Sequence, residues 1–119
     1  MADAPARFPR RVYEQGDEPD PRFSLANERT FLAWIRTSLA LMAGGTALAV
    51  LDTTDHPALR AAAILLLVAG LVGPLQAWFS WSRTELAMRL GRPLPTSPLA
   101  VPLCVLVCLA GLLILAGTL

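Results

Sequence analysis

Three arginines at seven-residue intervals are the residues of this sequence best placed to do chemistry. Arg22, Arg29 and Arg36 follow one another at this spacing. On a helix they form a single, slowly drifting column, with neighbours about 10 Å apart along the axis. Guanidinium groups stay charged in proteins and bind phosphate or carboxylate oxygens. The spacing therefore predicts a basic column that attracts anions.

Small residues share the face of this column. Bulkier residues, among them Phe31, Ile35, Leu39 and Met42, lie on the opposite face, which we expect to contact lipid. The small residues allow close helix packing, and Gly73 is a further packing position on the second apolar stretch. We call the column and its small neighbours the arginine stripe: Arg22, Ala26, Arg29, Ala33, Arg36, Ala40, Gly44 and Ala47.

Arg36 lies inside an apolar stretch, where a charge costs between about 3 and more than 10 kcal/mol unless it snorkels, pairs or faces water. Two interpretations stay open. Arg36 snorkels to the membrane interface while the small residues let helices pack. Alternatively, several copies turn this face toward a shared axis and form an anion-attracting pore entrance.

Two acidic residues, one on the first helix and one on the extension of the second, suggest ion pairs. Glu28 either pairs with Arg83 of a neighbouring helix at the same depth, or remains a solvated acid favoured by the helix dipole. Glu85 and Arg89 are four residues apart, the spacing of a surface ion pair on one helix.

Three apolar stretches position these residues, at residues 31–51, 58–81 and 98–119. Each has about 20 residues or slightly more, enough to cross a hydrocarbon core of about 30 Å as a helix. The second helix can continue to Leu90, where Gly91 and Pro93 end it. Residues 1–20 form a polar arm that we expect to be flexible. The prediction is an all-α, three-helix transmembrane domain over residues 21–119.

Composition and charge agree with a multi-pass membrane protein. Of 119 residues 55% are hydrophobic and 16% are charged, and the mean hydropathy is +0.53, whereas soluble domains average roughly 25% charged. Arginines concentrate before the first span and between the second and third. The positive-inside rule then predicts a cytoplasmic N-terminus and an extracytoplasmic C-terminus for a plasma-membrane protein.

Several classes of function are excluded by what the sequence lacks. A net charge of +1 gives no nucleic-acid footprint. Two Cys and one His are too few for a zinc site, and no nucleophile–base set or phosphate loop is present. We expect no enzyme activity, no metal and no cofactor.

The stretch from Asp20 to Thr37, with the core Ala-Asn-Glu-Arg-Thr-Phe-Leu-Ala-Trp, resembles the YidH-like small membrane proteins, the domain of unknown function numbered 202. The resemblance covers about residues 20–119. The module is also similar to the membrane part of the vacuolar transporter chaperone complex, whose subunits form a ring around a polyphosphate path. Arg36 departs from that branch of the family, which is generally not basic at this position.

The resemblance implies that Arg22 and Arg29 lie at a cytoplasmic mouth, that Glu28 structures it, and that Arg83 is a further basic site. Our leading hypothesis is a homo-oligomer of roughly three to five copies that conducts anions such as phosphate or polyphosphate. The alternative is a non-conducting scaffold or chaperone subunit that binds anionic lipid and a partner membrane protein.

Overall fold

The computed structural model describes residues 7–96 and 99–119. Residues 1–6 of the expected arm and Pro98 of the third predicted span lie outside the described residues. All regular structure in the described part is helical, and three of its helices are long and apolar enough to span a membrane. The predicted all-α fold with three spans is confirmed. The helices are α1 (Arg10–Tyr13), α2 (Pro21–Leu51), α3 (Pro57–Leu90) and α4 (Ala100–Thr118).

Local sequence signals set the helix ends. Pro21 and Pro57 occupy the first turns of α2 and α3, where a missing N–H costs nothing. The Asp20 carboxylate caps α2 by accepting from the Arg22 amide at 2.9 Å. At the other end of α3, Gly91 adopts a left-handed φ of 67°. The predicted end of this helix at Leu90 is confirmed.

Glycines bring α2 and α3 into close antiparallel contact. A Cβ atom on Gly45 would lie 2.9 Å from the Ala63 carbonyl oxygen. A Cβ atom on Gly73 would overlap the Ser38 hydroxyl, which is fully buried. The two helices pack along these notches because only glycine leaves room for the partner's backbone or hydroxyl.

The lengths of the helices show which part extends beyond the bilayer. Trp34, Gln76 and Leu99 line one crevice, so α4 begins at the height of Trp34 on α2 and Gln76 on α3. The 19 residues of α4 match a hydrocarbon core of about 30 Å. From that height, α3 continues for about 20 Å to Leu90.

Residues 7–33 and 77–96 lie beyond the height at which α4 begins, and we call them the basic end. The molecule is 66 Å long, about twice the thickness of the core. The basic end is therefore a helical hairpin that projects out of the membrane.

Candidate functional site

The arginine stripe is exposed over its whole length. Arg22, Arg29 and Arg36 are all accessible, as are the small residues between them. The opposite face of α2 packs on α3: Phe31 meets the Trp81 ring edge-on at 6.5 Å, and Met42 lies against Gly70. The expectation that this opposite face contacts lipid is wrong, apart from the exposed Leu39. The reason is that α3 presents Gly70 to Met42 and the Trp81 ring to Phe31, so these large side chains pack between the two helices.

The three arginines of the column differ in their surroundings. Arg22 pairs with the Asp20 carboxylate at 2.9 Å, and this contact, together with the Arg22 amide, lowers the pKa of Asp20. Within the described residues, Arg29 and Arg36 form no hydrogen bond or ion pair. Arg36 lies two residues, about 3 Å, beyond the height of Trp34. Its charge is thus at the edge of the hydrocarbon core, where snorkelling lowers its cost.

Glu28 and Arg83 are both exposed and do not pair within the described chain. A Glu28–Arg83 pair between subunits stays a prediction. Of the small residues expected to mediate packing, Ala33, Ala40 and Gly44 are exposed, whereas Gly73 is buried against Ser38.

A buried carboxylate on α3 forms polar contacts with two side chains of α2. Glu85 is 4% exposed and accepts hydrogen bonds from the Ser24 hydroxyl at 2.8 Å and the Asn27 side-chain amide at 3.2 Å. Asn27 also donates to the Trp81 carbonyl at 3.1 Å. The prediction of a surface ion pair between Glu85 and Arg89 is wrong: both residues are buried, and they do not pair in the described structure.

Sequence reasoning missed this cluster, although a signal was present. Ser24 and Asn27 are three residues apart on α2, and Ser82 and Glu85 are three apart on α3. Nearer the membrane, α2 and α3 pack against each other along one face of each helix. Each of these two polar pairs lies where that face continues. Polar residues at that spacing could have been interpreted as a buried inter-helix contact.

Arg89 binds the N-terminal arm. Its side chain is 5% exposed and donates to the carbonyl oxygens of Tyr13 and Gln15, each at 2.8 Å, and to the Glu18 carboxylate at 3.0 Å. The Asp17 amide donates back to the Arg89 carbonyl at 3.1 Å. Residues 7–18 are thus docked on the end of α3 in this structure, and the flexibility expected of them stays a prediction.

Aromatic rings of the docked arm pack against aromatic rings of α3. Phe8 stacks on Trp78 at 6.0 Å, Trp78 contacts Trp81 at 5.3 Å, and Tyr13 meets Trp81 at 6.3 Å. The Arg7 guanidinium lies 4.2 Å from the centre of the Tyr13 ring. Partial burial, followed by the charge of Glu85, raises the pKa of Tyr13 above its ordinary value.

Within the described residues, no group of three or more His, Cys, Asp or Glu side chains could hold a metal ion. The described basic end presents guanidinium groups, accessible carboxylates such as Asp20 and Glu28, the buried carboxylate of Glu85 and aromatic rings.

The family model described as "Domain of unknown function (DUF202)" matches residues 22–87, which is more than half of the chain. The chain belongs to the DUF202 family. The matched region begins at Arg22 and includes Ser24, Asn27 and Glu85, so it contains the α2–α3 hairpin and its buried polar contact.

Similar proteins support the same family. The chain is 41% identical to the inner membrane protein YidH of Escherichia coli, over 90% of this chain and 99% of the relative. It is 40% identical to an uncharacterized protein of Mycobacterium tuberculosis, over 83% of each chain. No solved structure matches. This DUF202 protein is a multi-pass inner-membrane protein, since it has three membrane-spanning helices and an inner-membrane relative.

Proposed function

We propose that this DUF202 protein is a non-catalytic, oligomeric membrane module that guides anions such as phosphate or polyphosphate. The observation that carries the proposal is the exposure of the complete arginine stripe on α2, whose opposite face is already occupied by α3. The stripe is thus available to a second copy or to a shared axis.

The small residues of the stripe suit close association between copies. Ala40 and Gly44 lie within the membrane-spanning part of α2 and are exposed in the single chain. Small residues let helices in lipid approach closely enough for van der Waals packing and backbone contacts to hold them together. In a ring of copies joined near these residues, the arginines of the column would face the axis.

The heights of the arginines support a mouth at the basic end. Arg36 lies at the edge of the hydrocarbon core, and Arg29 and Arg22 follow at about 10 Å intervals toward water. Repeated around an axis, this column forms a ladder of positive charge that raises the local concentration of anions. Because Arg22 is paired with Asp20, Arg29 and Arg36 are the main anion contacts in this proposal.

Orientation is part of the proposal. By the positive-inside rule the basic end lies in the cytoplasm and the end of α4 lies outside. Reporter fusions that are active on only one side of the membrane, placed after Leu119, test this. A C-terminus in the cytoplasm would reverse the direction from which anions approach the stripe.

Native mass spectrometry from nanodiscs tests the assembly. We expect roughly three to five copies in wild type and fewer in Ala40→Leu, since a bulky residue separates helices that pack through small ones. Ala49→Leu is the matched control: Ala49 is also exposed but lies on the other side of α2. A wild-type monomer or dimer would contradict an enclosed, arginine-lined axis.

Anion flux into liposomes then tests the conduit. Arg36→Gln should lower flux severalfold while leaving the oligomer intact, because the charge at the narrow edge of the membrane is lost. Arg60→Gln is the control, since Arg60 pairs with Asp55 at the opposite end of α3. The absence of wild-type flux at every voltage and salt concentration would refute conduction.

One observation favours a second function, a non-conducting scaffold or chaperone subunit that holds anionic lipid and a partner membrane protein. The exposed Arg36 side chain lies within reach of lipid headgroups at the core boundary. In this case Arg36→Gln weakens retention of anionic lipid, and wild type has no flux to lose.

A further inference from the structure

An apolar crevice of about 130 Å³ lies where α2, α3 and α4 meet. Its walls include Leu41 of α2, Val72 of α3 and Leu106 of α4. Trp34 and Gln76 lie at the end of the crevice nearer the basic end. The crevice is at the depth of the hydrocarbon core, and Val72 is 43% exposed there. A dry apolar space of about 150 Å³ holds a molecule such as benzene, so this one accepts a segment of an acyl chain.

A basic groove of about 180 Å³ lies farther along α3. Arg83 and Arg92 line it, with Leu86 and Pro93 among the apolar residues between and beside them. The Arg92 amide donates to the Ala87 carbonyl at 2.9 Å. This hydrogen bond turns the chain back toward α3 after the helix has ended at Leu90. In the described structure neither guanidinium has a hydrogen-bonding or ionic partner.

The crevice and the groove are on the same face of α3. Gln76 and Arg83 are seven residues apart, so their side chains differ by only about 20° around the axis and by about 10 Å along it. The crevice lies within the core, and the groove begins just beyond it. The headgroup layer is about 5 to 7 Å thick on each side of the core, so the Arg83 backbone lies a few ångströms beyond it, and the arginine side chains reach back by snorkelling.

The charge of the groove is uncompensated. Glu85 is the only acidic residue between Val68 and Leu90. It lies on the opposite side of α3, hydrogen-bonded to Ser24 and Asn27 of α2. Two guanidinium groups without an acidic neighbour favour a ligand with net negative charge over a zwitterionic one.

We propose that this face of α3 binds one anionic phospholipid, with its phosphate between Arg83 and Arg92 and an acyl chain in the crevice below. The site uses no residue of the arginine stripe. It is therefore tested with other variants than the oligomeric conduit, whose own variants are on α2, although a Glu28–Arg83 pair between copies would compete with the lipid phosphate for Arg83.

Lipid retention by the full-length protein, released from nanodiscs into a native mass spectrometer, tests the site. Nanodiscs of phosphatidylcholine alone are compared with nanodiscs that also contain phosphatidylglycerol. We expect wild type to retain phosphatidylglycerol preferentially. The double variant Arg83→Ala/Arg92→Ala should lose this preference by about fivefold for each arginine removed. Arg10→Ala/Arg11→Ala, two exposed arginines of the arm, should retain it.

A second pair of variants tests the acyl-chain site. Val72→Trp fills the crevice and should reduce retention of both lipids, whereas Val105→Trp, on an exposed position of α4 outside the crevice, should not. Equal retention by all variants, or equal loss in the arm control, would overturn the proposal. Binding of inorganic phosphate that depends on Arg83 and Arg92, with lipid retention unchanged by Val72→Trp, would instead assign the groove to free phosphate.

Discussion

The carboxylate of Glu85 on α3 accepts a hydrogen bond from the hydroxyl of Ser24 on α2 at 2.8 Å, across 61 positions of sequence. This contact lies beyond the height at which α4 begins, outside the hydrocarbon core. It fixes the register of α2 against α3 in a region where glycine notches no longer do so. A buried carboxylate is tolerated there because two donors satisfy it.

Removing this carboxylate should weaken the basic end. We expect Glu85→Ala to lower the free energy of unfolding in detergent by about 1 to 3 kcal/mol, because Ser24 loses its partner and Asn27 loses one of two. Glu14→Ala is the control, since Glu14 is exposed. Equal unfolding curves for the two variants would mean that the contact contributes nothing to stability.

Arg89 should hold the arm in place. Trypsin cleaves after Arg10 and Arg11 only when this segment opens, so Arg89→Ala should speed cleavage there by at least about tenfold, since three partly buried hydrogen bonds are lost. Arg83→Ala, at an exposed position on the same helix, should leave the rate unchanged. If wild type and Arg89→Ala are cut equally fast, the arm is flexible, as its composition predicts.

Gly73 and Gly44 should respond differently to the same substitution. Gly73→Ala puts a methyl group into the Ser38 hydroxyl and should cost about 1 to 3 kcal/mol of folding free energy. Gly44→Ala meets its nearest atom, on Leu66, at 3.9 Å and should be nearly neutral within one chain. Thermal unfolding in detergent compares them, and Gly73→Ala with Ser38→Ala should recover part of the loss. Equal stability of the two glycine variants would refute the close packing.

The single tyrosine of the chain reports on the arm through its pKa. Tyr13 is held above its ordinary pKa of 10.0, first by burial and then by Glu85. A raised pKa in the folded state means that the docked arm is fully stabilised below pH 10 and loses stability as the pH rises through the folded pKa.

Ultraviolet titration of the tyrosinate should therefore give a pKa closer to the ordinary value in Arg89→Ala, where the arm is released, than in wild type. Arg83→Ala serves again as the control. An identical pKa in wild type and Arg89→Ala would show that Arg89 does not hold Tyr13 against α3.

Local patterns predicted most of the architecture. Runs of apolar residues determined three spanning helices, because backbone groups in lipid must bond within their own segment. Gly91 determined the end of α3, because only glycine adopts a left-handed φ there without strain. The spacing of Arg22, Arg29 and Arg36 placed them on one face, and the structure leaves that face exposed.

What the sequence alone determined is therefore the set of helices, their ends and the alignment of the arginines, since these depend on neighbours within one or two turns. Only the tertiary structure decided which face of α2 packs on α3, that Glu85 is buried beside Ser24, and that Arg89 binds the arm. The hydrogen bonds of Glu85 and Arg89 join residues 58 to 76 positions apart. They depend on the height and rotation of one helix against another, which local periodicity does not encode.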